Sequence, residues 1–113
     1  MTEIESSQLE AMIRDTRDAL LVVKFGAPWC RPCEMVQPQF AAYEEECKSH
    51  GSSIRCVSVN IDELDDPELY NIQLIPMFVV WFQGRELKRT NSSVMEDVRK
   101  LVQESYDIAC RGD

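Results

Sequence analysis

Apolar positions along this chain switch between two spacings, and each switch marks an element. Leu9, Met12 and Ile13 recur at helical spacing behind Ser7-Gln8-Leu9-Glu10, which has the pattern of a capping box. They predict a helix from Ser7 to Thr16. Leu20-Leu21-Val22-Val23-Lys24-Phe25 is then apolar at every position except the lysine, as in a strand covered on both faces. Helical spacing returns with Met35, Val36, Phe40 and Tyr43, the expected inner side of a helix that reaches Lys48. Pro32 suits its first turn, where a missing N–H is harmless. Pro38 lies inside it and is expected to kink it.

Ser49 to Ser53 reads as a turn, and the β-branched run Ile54 to Ile61 as a second central strand. Asp62 to Tyr70 holds acids, a proline and a short helical stretch. Pro76 to Phe82 predicts a strand, Gln83-Gly84 a turn and Arg85 to Thr90 an edge strand of a hairpin. Trp81 and Phe82 point to opposite faces of their strand, and both read as core. Ser93-Val94-Met95-Glu96 is a second capping box, and Val94, Val98, Leu101, Val102 and Ile108 mark a C-terminal amphipathic helix. Strand–helix–strand implies a parallel pair with a right-handed crossover. The expected class is α/β, a mixed central sheet of four to five strands with helices on both faces. Thr2 to Glu5 is the candidate fifth strand.

The 113 residues fit one domain, 1–113. A net charge of −8 argues against nucleic acid, which needs clustered Lys and Arg; solubility is the plain reading of the acidity. No stretch has the apolar length of a membrane span. The opening MTEIESSQLE resembles neither a secretory signal nor a transit peptide. Five cysteines, at 30, 33, 47, 56 and 110, are an odd number for a secreted disulfide framework. A reducing compartment is expected, the cytoplasm first, with a mitochondrial or other organellar address if a presequence has been removed. Cys56 reads as a small buried hydrophobe, Cys47 and Cys110 as idle thiols or as a regulatory or dimerising pair. Arg111-Gly112-Asp113 matches an adhesion tripeptide by its letters alone.

The chemistry concentrates in Phe25 to Gln37, FGAPWCRPCEMVQ. A zinc site needs four ligands, and this chain has one CxxC and one histidine in a polar turn, so no metal is expected. A structural disulfide between Cys30 and Cys33 would close too short a loop to matter. A redox couple has a mechanism. The strand delivers the chain to a helix starting at Cys30, whose N–H groups and partial positive charge stabilise a thiolate there. Cys33 sits one turn along, in reach of a mixed disulfide.

Phe25 to Cys33, Trp29 directly ahead of Cys30, Pro32 between the cysteines, Pro38 five residues after Cys33 and Ile75-Pro76 before the later strand together resemble the thioredoxin family over almost the whole chain. Asn60-Ile61-Asp62 and Gln83-Gly84 fall where thioredoxins carry similar residues. The resemblance implies the thioredoxin fold and a thiol–disulfide oxidoreductase without metal or organic cofactor. Cys30 would attack a protein disulfide and Cys33 would resolve the intermediate. Trp29 would form part of the contact surface, and a cis Pro76 would face the cysteines, with the Ile75 backbone pairing with substrate. A thioredoxin reductase or another dithiol would supply electrons to a monomer. A more oxidising oxidase or isomerase, or a redox-inert binding subunit of the same fold, are the rival readings.

Lys24 departs from the family, which usually carries a buried acid there. Protonated, it would stabilise a nearby thiolate; neutral, it would serve as the base for Cys33. Its other reading is a packed stem with the ammonium reaching water. Arg31 replaces a common glycine and adds positive charge beside Cys30, so a reduction potential above the roughly −270 mV of thioredoxin is expected. Gly26 and Met77 replace a tryptophan and a threonine and are expected to alter the rim of the contact surface.

Overall fold

The computed structural model describes residues 3–51 and 53–111. Its helices are α1 (Ser6–Asp15), α2 (Arg31–Ser49) and α3 (Met95–Cys110), and its strands β1 (Leu20–Gly26), β2 (Ile54–Asn60), β3 (Met77–Phe82) and β4 (Arg85–Thr90). Two 3-10 turns, Ile61–Glu63 and Pro67–Tyr70, fill the acidic stretch where a single short helix was expected. Strand order is β2-β1-β3-β4. β1 runs parallel to β2 and antiparallel to β3, and β3 and β4 form the hairpin.

The alternation along β1 sorts the core into two layers. Leu20 and Val22 meet Val36, Phe40 and Tyr43 of α2 and Val98, Leu101 and Val102 of α3. Leu21, Val23 and Phe25 meet Leu9 of α1, Tyr70 and Trp81 on the other face. All seven β1 positions are buried, because β1 has a strand on either side and helices above and below. Lys24 shares the parity of Leu20 and Val22 and therefore faces α2. Trp81 and Phe82 divide between the two layers as their alternation requires.

Several boundaries differ from the expectations. The first capping box lies two residues earlier: Gln8 Oε1 accepts the Glu5 N–H at 2.9 Å. Ser6 is buried, and its hydroxyl oxygen accepts the Asp65 N–H at 3.2 Å, so the chain enters α1 tied to a distant loop. At α3 the N-cap is Val94, without a side-chain capping bond, and the hydroxyl that reaches the first turn belongs to Ser92, not Ser93. Its oxygen accepts the Val94 N–H at 3.0 Å, and its O–H donates to Asp97 at 2.7 Å. That places Val94 outside the helix, 54% exposed, while Met95 turns inward in its stead. Met35 is 65% exposed; α2 meets the sheet along Val36, Phe40 and Tyr43, and Met35 falls beside that stripe. Helix α2 continues through Pro38 to Ser49.

The candidate fifth strand reduces to one parallel bridge, Glu3 with Ser58, plus the Ile4 N–H on the Ser58 carbonyl at 3.0 Å; Thr2 lies outside the described residues, as do Gly112 and Asp113 of the tripeptide. Cys47 and Cys56 are buried free thiols and Cys110 an exposed one.

Phe40 is fully buried and meets Phe78 edge to face at 5.1 Å between ring centroids. Phe40→Ala is expected to cost about 3–5 kcal/mol, the range for deleting a buried ring. Met35→Ala, at an exposed position of the same helix, should stay within about 0.5 kcal/mol. Urea unfolding of both variants checks the contrast, and equal losses would mean the inner face of α2 is misassigned.

Candidate functional site

β1 ends at Gly26, and the chain turns through Ala27 to Trp29 into α2. Cys30 is the helix cap, with extended backbone at φ −92° and ψ 107°. Its Sγ accepts the Cys33 N–H at 3.3 Å, so one orphan donor of the helix start is satisfied by this sulfur. Pro32 stands in the first turn, where no N–H is needed. Cys30 and Cys33 are joined by a disulfide, with Cα atoms 5.3 Å apart. Both are buried, Cys33 more deeply, in a small cluster with Ala27 that Ile61 and Ile75 border.

The other expected residues gather around this pair. The Ile75–Pro76 peptide bond is cis, as the family resemblance implied. The Ile75 carbonyl oxygen lies 4.0 Å from Cys30 Sγ. Trp29 is 67% exposed. Its indole N–H donates to Asp62 Oδ2 at 2.7 Å. Asp62 is itself held by Asn60, whose side-chain oxygen accepts the Asp62 N–H at 3.0 Å. Arg31 is exposed beside Cys30. Met77, expected on the rim, is instead buried in the α1-side layer by the alternation of β3.

Two supports had no local signal in the sequence. The Asn91 amide donates to the Pro76 carbonyl at 2.8 Å and braces the cis-proline turn. Arg89 holds the Tyr70 and Asn71 carbonyls at 3.0 Å each. Both act from β4 or just beyond it on residues well away in sequence, so only the hairpin brings them into reach.

Behind the disulfide lies a pocket of about 210 Å³, lined by Lys24, Gly26, Cys33, Glu34 and Gln37 among others. Lys24 is only 5% exposed, and its ammonium does not reach out into water; it donates to Gln37 Oε1. Burial holds the Lys24 amine below its ordinary value, while the Glu3 and Glu34 carboxylates push it back up. Gly26 has the same parity as Lys24 and also faces α2. A Cβ there would meet Cys33 Cβ and Sγ at 3.2 Å and Lys24 Cε at 3.6 Å. The missing side chain is what lets strand and helix approach so closely, which is its role in place of the expected one on the rim.

A lysine held below its ordinary value of 10.5 by burial makes stability depend on pH. At pH below the lowered folded value both folded and unfolded chains hold the proton, and the folded state carries the cost of desolvating the charge. As pH rises toward 10.5, the folded amine loses its proton first and that cost disappears. Lys24→Met should therefore be more stable than the parent chain near neutrality, by a margin that shrinks as pH climbs. Urea unfolding of both chains from pH 7 to 10 checks this, and a margin independent of pH would overturn it.

The anchored indole generates a second expectation. Asp62→Ala releases Trp29 and should raise KM for a protein disulfide about threefold to tenfold with kcat little changed, the size of one lost hydrogen bond. Steady-state insulin reduction measures the split.

The thioredoxin family model matches residues 1–104. The chain is 32% identical to thioredoxin H2 of Arabidopsis thaliana over 84 residues, 74% of this chain and 60% of that protein. It is 36% identical to a thioredoxin of Mycoplasma genitalium, over 79% of this chain and 83% of that one. The structure of Fasciola hepatica thioredoxin superposes with a TM-score of 0.82 over 93% of this chain and 99% of that chain, at 24% identity, which shows the fold. Strand, cysteine pair and helix are arranged for thiol–disulfide exchange, and the relatives carry out that exchange. The chain therefore belongs to the thioredoxin family, as a thiol–disulfide oxidoreductase that reduces protein disulfides.

Proposed function

We propose that Cys30 is the attacking thiol and Cys33 the resolving one. The observation that carries this is the place of Cys30 Sγ at the α2 N-terminus, where it accepts the Cys33 N–H at 3.3 Å, next to the exposed Trp29. The Cys30 thiolate attacks one sulfur of a substrate disulfide. A mixed disulfide forms, and one substrate thiolate leaves. The Cys33 thiolate then displaces the second substrate sulfur and closes the Cys30–Cys33 bond. Two electrons from an upstream dithiol, such as a thioredoxin reductase, reopen it. Trp29, Ile75 and Pro76 form the contact surface, with the Ile75 carbonyl beside Cys30 available to a substrate backbone.

Lys24 and Arg31 tune this couple, and Pro32 holds the first turn that presents it. Both cations favour thiolates over the disulfide, which raises the reduction potential. The buried Lys24 behind Cys33 supports a second reading, a poise closer to that of an oxidase or isomerase. We read the working form as a monomer in a reducing compartment, the cytoplasm first. Free thiols at Cys47, Cys56 and Cys110 suit that setting. Among the described residues no helix is long and apolar enough to cross a membrane.

Insulin reduction with a dithiol donor tests the roles. Cys30→Ser should abolish turnover, and Cys33→Ser should accumulate a mixed disulfide visible by mass. Turnover retained in Cys30→Ser would overturn the assignment. Equilibration in glutathione buffers tests the tuning: the Cys30–Cys33 potential should lie above about −270 mV, and a value at or below that would remove the role given to the two cations.

A further inference from the structure

We infer that Gln37 is a positioning residue of the redox couple, which acts through Lys24 by fixing the lysine amine in the pocket behind Cys33. This rests on the tuning role of Lys24 proposed above.

Gln37 lies four residues after Cys33, one turn along α2, so both look toward the same face of the helix. Lys24 reaches that face from β1. Its Cε and the Cys33 Sγ lie within 3.6 Å and 3.2 Å of one point, the place of a Cβ on Gly26. The lysine stem and the second sulfur thus border the same point at Gly26, and the amine ends on Gln37 Oε1. Lys24, Cys33 and Gln37 line one pocket.

The groups around the amine explain why the amide matters. From α2 it faces Cys33, Glu34 and Gln37, and from the N-terminal segment Glu3. From β2, Ser58 and Asn60 line the pocket and carry no charge. An amine taken out of water needs acceptors to remain charged. The two carboxylates attract it, and neither belongs to the redox pair. The Gln37 amide has no charge and does not titrate near neutrality, so it takes no part in proton exchange. It supplies one acceptor at a fixed place on the helix that carries Cys33. Without that acceptor the flexible lysine is free to turn to Glu34 or Glu3, and its effect on a Cys33 thiolate falls with the distance gained.

The test is a double-mutant cycle read by the Cys30–Cys33 potential in glutathione buffers, with thiol trapping and mass. Lys24→Met should lower the potential. Gln37→Leu should lower it by at least half as much, and adding Gln37→Leu to Lys24→Met should change nothing further. Gln37→Asn keeps an uncharged amide acceptor at the same helix position and should hold the potential closer to that of the parent chain than Gln37→Leu does. A Gln37→Leu potential equal to the parent's would overturn the inference, and so would an equal shift in the Lys24→Met background. If Lys24→Met leaves the potential unchanged, the tuning role of Lys24 fails and this inference with it. Insulin reduction by the parent chain would still uphold the disulfide reductase.

Discussion

Burial of β1 between two other strands, under helices on both faces, leaves its side chains only two directions. Leu21, Val23 and Phe25 take the α1 side; Leu20, Val22 and Lys24 take the side of α2 and α3. The redox site follows from this. The strand ends where α2 begins, so the loop between them must return the chain across the end of the sheet. Cys30 caps that helix, and Cys33 falls one turn inside it, on the face that looks back at β1. A residue with the parity of Lys24 therefore cannot avoid the second cysteine.

That geometry makes the lysine informative. A buried lysine in a layer of apolar side chains is unfavourable unless its amine has partners. Here the partners are Gln37 and two carboxylates near the pocket. The carboxylates are the groups that push the amine back up against the effect of burial. Gly26 contributes by absence: a Cβ there would crowd Cys33 at 3.2 Å, while the lysine stem stays at an ordinary contact distance. Lys24 and Gly26 of β1 and Cys33 and Gln37 of α2 thus line one pocket.

The surface beside the disulfide is built on a different principle. Trp29 stays exposed because Asp62 holds its indole N–H while the ring faces solvent. The cis-proline turn is held from outside by Asn91. The exposed indole and the largely covered Ile75–Pro76 turn both lie beside the disulfide, and in each case a polar bond from a distant segment does the holding.

The sequence by itself determined the order of elements, the central place of β1, the pair Cys30 and Cys33, and the helix start at which they sit. Those features rest on short-range physics: alternation, helical spacing, proline at a first turn and donors at a helix end. It was less reliable where neighbours compete. Ser93 heads a capping-box pattern, yet the N-cap is Val94 and the hydroxyl that reaches Asp97 is that of Ser92. Met35 fits a helical stripe, yet the sheet meets α2 along Val36, Phe40 and Tyr43. The amine of Lys24 had two destinations, water or interior, and only the approach of α2 across Gly26, with Gln37 as acceptor, decided between them. The tertiary structure decides such matters because a side chain's partners lie on other elements, and their distance is set by packing that no local pattern encodes.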